Sequence, residues 1–161
     1  MDGGAGRESE RLADASRLAL ALLTRRERSR DELIRALIAR GTSPDDAETM
    51  VAQLSERGWQ DDDRFAGALA RTRAAAGYGP ERIRYELSRH GIDELASADA
   101  LASCEADWRA RAEALLARRY RADALVDPAV RAKAIAFLVR RGFDLQTARA
   151  AIADVMQSDS D

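Results

Sequence analysis

The chain has 161 residues, 46% of them apolar and 34% charged, with a formal net charge of −2. That length admits one ordinary domain, and a strong Ala, Leu and Arg bias favours helix over sheet or disorder. The single cysteine, Cys104, excludes an internal disulfide framework and a cysteine-based metal cluster; with no signal architecture and no apolar run near the roughly 18 residues of a membrane helix, the chain reads as soluble and cytoplasmic.

Residues 1–14 are rich in Gly, Ser, Asp and Glu and are expected to form a disordered N-terminal segment. Beyond them a unit repeats. Ser29-Arg-Asp-Glu-Leu-Ile-Arg-Ala-Leu-Ile-Ala-Arg-Gly41 returns as Gly79-Pro-Glu-Arg-Ile-Arg-Tyr-Glu-Leu-Ser-Arg-His-Gly91 and again as Val130-Arg-Ala-Lys-Ala-Ile-Ala-Phe-Leu-Val-Arg-Arg-Gly142. Leu37, Leu87 and Leu138 stand four residues before the closing glycines, and Arg40, His90 and Arg141 stand one before. A glycine there supplies the left-handed residue that ends a helix, and a basic neighbour faces the helix C-terminal dipole. His90 is accordingly expected to be a solvent-facing dipole partner rather than a ligand or base.

Each repeated helix is preceded by one marked by Leu18, Leu22 and Leu23, by Phe65, Leu69 and Thr72, or by Leu115, Leu116 and Tyr120. Each is followed by one marked by Ala47, Val51 and Leu54, by Ser97, Leu101 and Cys104, or by Ala148, Ile152 and Val155, which makes Cys104 a small core residue. The three prolines follow cap positions, at Ser43-Pro44, Gly79-Pro80 and Asp127-Pro128, so they start helices. Ser29 and Glu32 have the spacing of a capping box.

The expected architecture is all-α: three tandem three-helix repeats, at 15–59, 60–104 and 105–156, forming an elongated, curved body, with a flexible acidic tail at 157–161. Trp59, at the first junction, is expected to plug the first unit against the second.

Familiar chemistry is missing. The one histidine lies at a helix end with no nucleophile beside it. Gly77-Tyr-Gly79-Pro80 lacks the length and the Lys of a phosphate-binding loop. Adjacent carboxylates such as Asp61-Asp62-Asp63 cannot all face one ion, and they suit a helix N-terminus. No enzyme, metal or cofactor is expected.

Arginines remain, 25 of the 26 basic residues, with Lys133 the exception. Their abundance is itself weak evidence, because genome composition produces the same bias. Residues 105–152 nevertheless carry a net charge of +4 while the segments on either side are acidic. Arg82 and Arg89 lie seven apart and share a helix face, with Arg35 in the equivalent helix of the first unit, and Arg118, Arg119, Arg121, Arg131, Lys133, Arg140 and Arg141 crowd the third unit. Such a surface fits a phosphate backbone or an acidic protein face; the bland alternative is a solvated face with intrahelical ion pairs, such as Glu86 between Arg82 and Arg89.

Three motifs together resemble the RecX family, regulators of the bacterial recombinase RecA. They are Gly58-Trp-Gln-Asp-Asp-Asp-Arg-Phe-Ala66, the Gly79–Gly91 helix, and Phe137-Leu-Val-Arg-Arg-Gly-Phe143; Arg25-Arg-Glu-Arg-Ser29 with Glu32 and Leu33 looks like the family's start. His90 and Gln60 depart from the family's usual basic and apolar residues. The resemblance implies three tandem three-helix repeats and a non-enzymatic, mainly inhibitory regulator. It would dock along the groove of the RecA filament on single-stranded DNA and limit filament extension, ATP hydrolysis, strand exchange and co-protease function, within DNA repair and the SOS response. The ten basic residues named above are the candidate contacts, to the filament or directly to single- or double-stranded DNA. A monomer is expected, with no membrane contact. A sequence-independent DNA-binding protein and a helical scaffold for another partner are the competing readings.

Overall fold

Capping side chains decide where the helices begin. In the computed structural model, which describes residues 3–158, Ser29 Oγ accepts from the Glu32 N–H at 3.1 Å, Ser43 from Asp46 at 3.2 Å, Asp61 from Arg64 at 3.0 Å and Asp93 from Ala96 at 2.8 Å. Asp107 and Asp127 cap two further helices in the same way. The helices are α1 (Gly3–Leu23), α2 (Arg30–Ala39), α3 (Pro44–Glu56), α4 (Asp62–Ala75), α5 (Pro80–Arg89), α6 (Glu94–Ser103), α7 (Trp108–Arg119), α8 (Pro128–Arg141) and α9 (Leu145–Ser158), with a 3-10 turn at Asp123–Val126 before α8. No strand occurs among the described residues.

Apolar spacing then gathers the helices in threes around separate cores. Ala19, Leu33, Leu37 and Val51 centre the first, Phe65, Ile83 and Leu87 the second, and Leu116, Leu138 and Phe143 the third. Trp108 packs against both the second core and the third. Ala47, Ser97 and Ala148, at equivalent repeat positions, are all buried, whereas Cys104 is only half-buried and its thiol is pushed up by burial.

The repeated helices α2, α5 and α8 meet end to end. Gly79 and Glu81, at the start of α5, donate their N–H groups to the carbonyls of Arg141 and Gly142 at 2.8 and 2.9 Å, so the last carbonyls of α8 are satisfied by the first donors of α5. At the other joint the start of α2 abuts the end of α5, where a side chain on Gly91 would strike the Asp31 carboxylate. Side chains hold the two units together here: Arg35 Nη2 of α2 reaches the Arg89 carbonyl of α5 at 3.4 Å, and from α4 Asp62 Oδ1 accepts from the Arg30 N–H at 2.8 Å and Arg64 Nε donates to Glu27 Oε1 at 2.8 Å.

Several expectations need correction. The helix α1 extends back to Gly3, so residues 3–14 are helical; Ala5, Arg7, Glu8 and Glu10 are good helix formers, and Arg11 pairs with Asp46 of α3 at 3.3 Å. Gln157 and Ser158 likewise belong to α9, and residues 1–2 and 159–161 lie outside the described residues. Trp59 is 53% exposed and plugs nothing. Its neighbour Gln60, 3% exposed, occupies that place: its amide donates to the Arg28 carbonyl at 3.2 Å and to Asp62 Oδ1 at 2.9 Å, while its oxygen accepts from Ser55 Oγ at 2.6 Å. The capping box is half made, because Glu32 turns from Ser29 to Arg26 and Arg28.

Candidate partner-binding groove

End-to-end packing of α2, α5 and α8 leaves a groove of about 1080 Å³ that crosses all three units. Four of the predicted arginines line it: Arg35 from α2, Arg82 and Arg89 from α5, and Arg140 from α8. Three carboxylates share its walls, and each already has a partner. Glu32 is held by Arg26 and Arg28; burial alone would raise it, but the hydrogen bond and charge of Arg26, with Arg28 and His90, outweigh that and keep it low. Glu81 pairs with Arg84 at 2.8 Å. Glu86 receives a bidentate clasp from Arg73 of α4, Nε and Nη2 at 2.8 and 2.6 Å, and that bond holds its carboxyl below the usual range. Glu86 therefore belongs to Arg73 and not to Arg82 and Arg89, the intrahelical pairing that the alternative of a solvated face offered. Among the described residues, Arg35, Arg82, Arg89 and Arg140 have no carboxylate within 4 Å.

His90 is only partly exposed, with its Nδ1 turned inward. Its ring packs edge-on against Phe65 at 5.0 Å, and Nδ1 lies buried without a hydrogen bond, 3.9 Å from Glu32 Oε2 of the first unit. It helps close the joint between α2 and α5.

The third-unit cluster does not form one patch. Arg141 lies over the rings of Tyr78 and Phe137, at 5.3 and 5.6 Å, and Arg119 covers Phe137 at 4.7 Å. With Arg82 4.3 Å above Tyr78, cations and rings alternate as Arg82, Tyr78, Arg141, Phe137, Arg119, running from the second unit into the third. Arg131 turns back to the Leu125 and Val126 carbonyls at 3.1 and 2.9 Å, and Arg121 pairs with Asp123 at 3.2 Å. Arg118 and Lys133 are exposed away from the groove.

Sequence reasoning missed Tyr78, over whose ring the Arg82 and Arg141 guanidinium groups both lie, and Tyr85 and Val139, which are 63% and 47% exposed on the groove wall. Tyr85 could have been found: a large ring between Ile83 and Leu87 is off the buried face of α5. The Asp61-Asp62-Asp63 run divides between helix capping by Asp61 and the unit joint at Asp62, and no described residues gather three potential metal ligands.

Three family models, each for one three-helix domain of RecX, match the chain in order, the first over residues 15–54, the second over 61–101 and the third over 105–152. This chain belongs to the RecX family. Regulatory protein RecX of Xanthomonas axonopodis pv. citri is 50% identical over 133 residues, covering 83% of this chain and 82% of that protein, and the protein of that name from Stenotrophomonas maltophilia matches to the same extent. The crystal structure of RecX from Lactobacillus salivarius superposes with a TM-score of 0.79 at 21% identity, over 91% of this chain and 97% of that one. A second crystal structure, of a regulatory protein RecX, gives 0.77 at 23% identity over 93% and 75%. These structures share the fold. Membership of RecX makes the chain a regulatory protein and not an enzyme. No helix among the described residues is long and apolar enough to cross a membrane.

Proposed function

We propose that this protein is a cytoplasmic, monomeric regulator of the recombinase RecA that lies along the groove of the RecA filament on single-stranded DNA. There it limits filament extension and so lowers ATP hydrolysis, strand exchange and co-protease activity. The observation supporting this reading most directly is the groove along α2, α5 and α8, whose arginines are spread over three units hydrogen-bonded in series. A body that touches successive protomers at once gains effective concentration at each further contact, so individually weak contacts hold it in place.

The test is RecA's DNA-dependent ATPase titrated with this protein at substoichiometric ratios. Inhibition far below one copy per protomer supports filament binding, and inhibition only near saturation of the DNA overturns it in favour of competition for DNA. Arg89→Glu with Arg140→Glu is the informative variant, since neither side chain supports a ring or a carbonyl needed for folding of the third unit; it should lose inhibition with its circular dichroism unchanged.

A further inference from the structure

We infer that the groove along α2, α5 and α8 takes a segment of the partner protein that bears both carboxylates and apolar side chains, and not a nucleic-acid backbone. The inference rests on the RecA reading above and specifies which component of the filament the groove touches.

Charge argues for separated carboxylates over a uniform polyanion. Glu32, Glu81 and Glu86 share the wall with Arg35, Arg82, Arg89 and Arg140, and each is already paired, so a continuous row of phosphates finds closed ion pairs and no open guanidinium groups between its favourable contacts. A peptide can place single carboxylates opposite the guanidinium forks and neutral residues opposite the glutamates. Arg89 is already oriented for this, with Nη1 3.3 Å from the Tyr85 hydroxyl.

Apolar surface argues the same way. Tyr85 and Val139 present a ring and an aliphatic group to the groove between the arginines. A sugar–phosphate strand buries neither, and binders of single strands stack successive bases on several free rings. Here Tyr78 has Arg82 and Arg141 on its ring, which leaves Tyr85 as the exposed aromatic of the wall. An apolar side chain of a peptide fits beside it and removes its surface from water. The ten residues of α5 span about 15 Å, the reach of four or five extended residues, so the bound segment is short enough to be one loop or terminus of a folded partner.

The experiment is photocrosslinking on assembled RecA filaments with single-stranded DNA. The full chain carries p-benzoylphenylalanine as Tyr85→p-benzoylphenylalanine, or in a second variant at Val139, with Leu95, exposed on α6, as the reference site. Each variant is first checked for native circular dichroism and for ATPase inhibition. Adducts at Tyr85 or Val139 at least fivefold above those at Leu95, mapping to a RecA peptide that contains Asp or Glu beside apolar residues, are the expected result. Adducts chiefly on the DNA, on a RecA peptide without carboxylates, or no more abundant than at Leu95 while inhibition persists, overturn the inference and leave the RecA reading standing. Absence of any inhibition by the unsubstituted chain overturns the RecA reading itself.

Discussion

Gly79 and Gly142 meet backbone to backbone: a Cβ added to Gly79 would lie 2.5 Å from the Gly142 carbonyl, and one added to Gly142 would overlap Arg82. Gly142 also has φ +100°, where a side chain costs about 1–2 kcal/mol before any collision. Gly41 closes the equivalent helix of the first unit at φ +97° with open space around it. Gly41→Ala should therefore lose only the backbone cost, whereas Gly142→Ala should lose clearly more, because α8 must also back away from α5. Urea unfolding of the two variants checks this; equal losses would show that the contact between α5 and α8 contributes nothing.

Gln60 carries a second prediction. Its side chain bridges Ser55, Arg28 and Asp62 in a site closed to water. Replacing it with leucine takes the donor from the Arg28 carbonyl, at roughly 1–3 kcal/mol, while Ser55 keeps the Val51 carbonyl and Asp62 keeps the Arg30 N–H. Gln60→Leu should lower the midpoint of urea unfolding, whereas Trp59→Ala, at an exposed ring, should leave it nearly unchanged.

A third concerns acid. The Arg73 hydrogen bond holds Glu86 below the ordinary carboxylate range, so the folded form binds its proton less readily than the unfolded chain does. The resulting stability is fully present above the unfolded value, about 4.3, and is lost as pH falls through the lower folded value. The pair is partly exposed, so screening keeps its contribution below about 1 kcal/mol. Arg73→Gln should flatten the fall in stability between pH 5 and 3, measured by thermal unfolding at low ionic strength.

The alternating rings and cations give a fourth. Arg141→Met keeps the aliphatic stem but removes the charge over Tyr78 and Phe137, and contacts of this kind are worth roughly 0.5–1 kcal/mol each. The variant should unfold at lower urea concentration, with hydrogen exchange faster in α8 than in α2. Uniform exchange along the chain would show that the two rings do not bind the third unit to the second.

What was legible in the sequence is what short-range chemistry decides. Ser29, Ser43, Asp61 and Asp127 cap helices within three residues of themselves, and Gly41, Gly91 and Gly142 terminate them by a left-handed turn that needs no distant partner. The threefold recurrence of apolar positions likewise announced three separate cores. What was not legible depends on which unit lies beside which. Glu86 finds Arg73 on another helix, thirteen residues away, in place of its neighbours on α5. Gln60 displaces Trp59 from the first joint because three polar partners converge there. The seven candidate basic residues of the third unit are close in sequence, yet helix rotation sends Arg140 to the groove, Arg141 and Arg119 to Phe137, and Arg131 to the turn before α8. The first helix was hidden by its composition, since glycines at 3, 4 and 6 obscure the helix formers among them.

The end-to-end joints make the molecule a ruler. The joints set Arg35 against Arg89 and the end of α8 against Arg82, and the length of α5 separates the two. One turn added to α5 would move Arg140 away from Arg35 by about 5.4 Å. On the filament docking proposed above, a partner with a fixed axial repeat is recognised by length as well as by charge, and its pitch and the length of this row of helices change together.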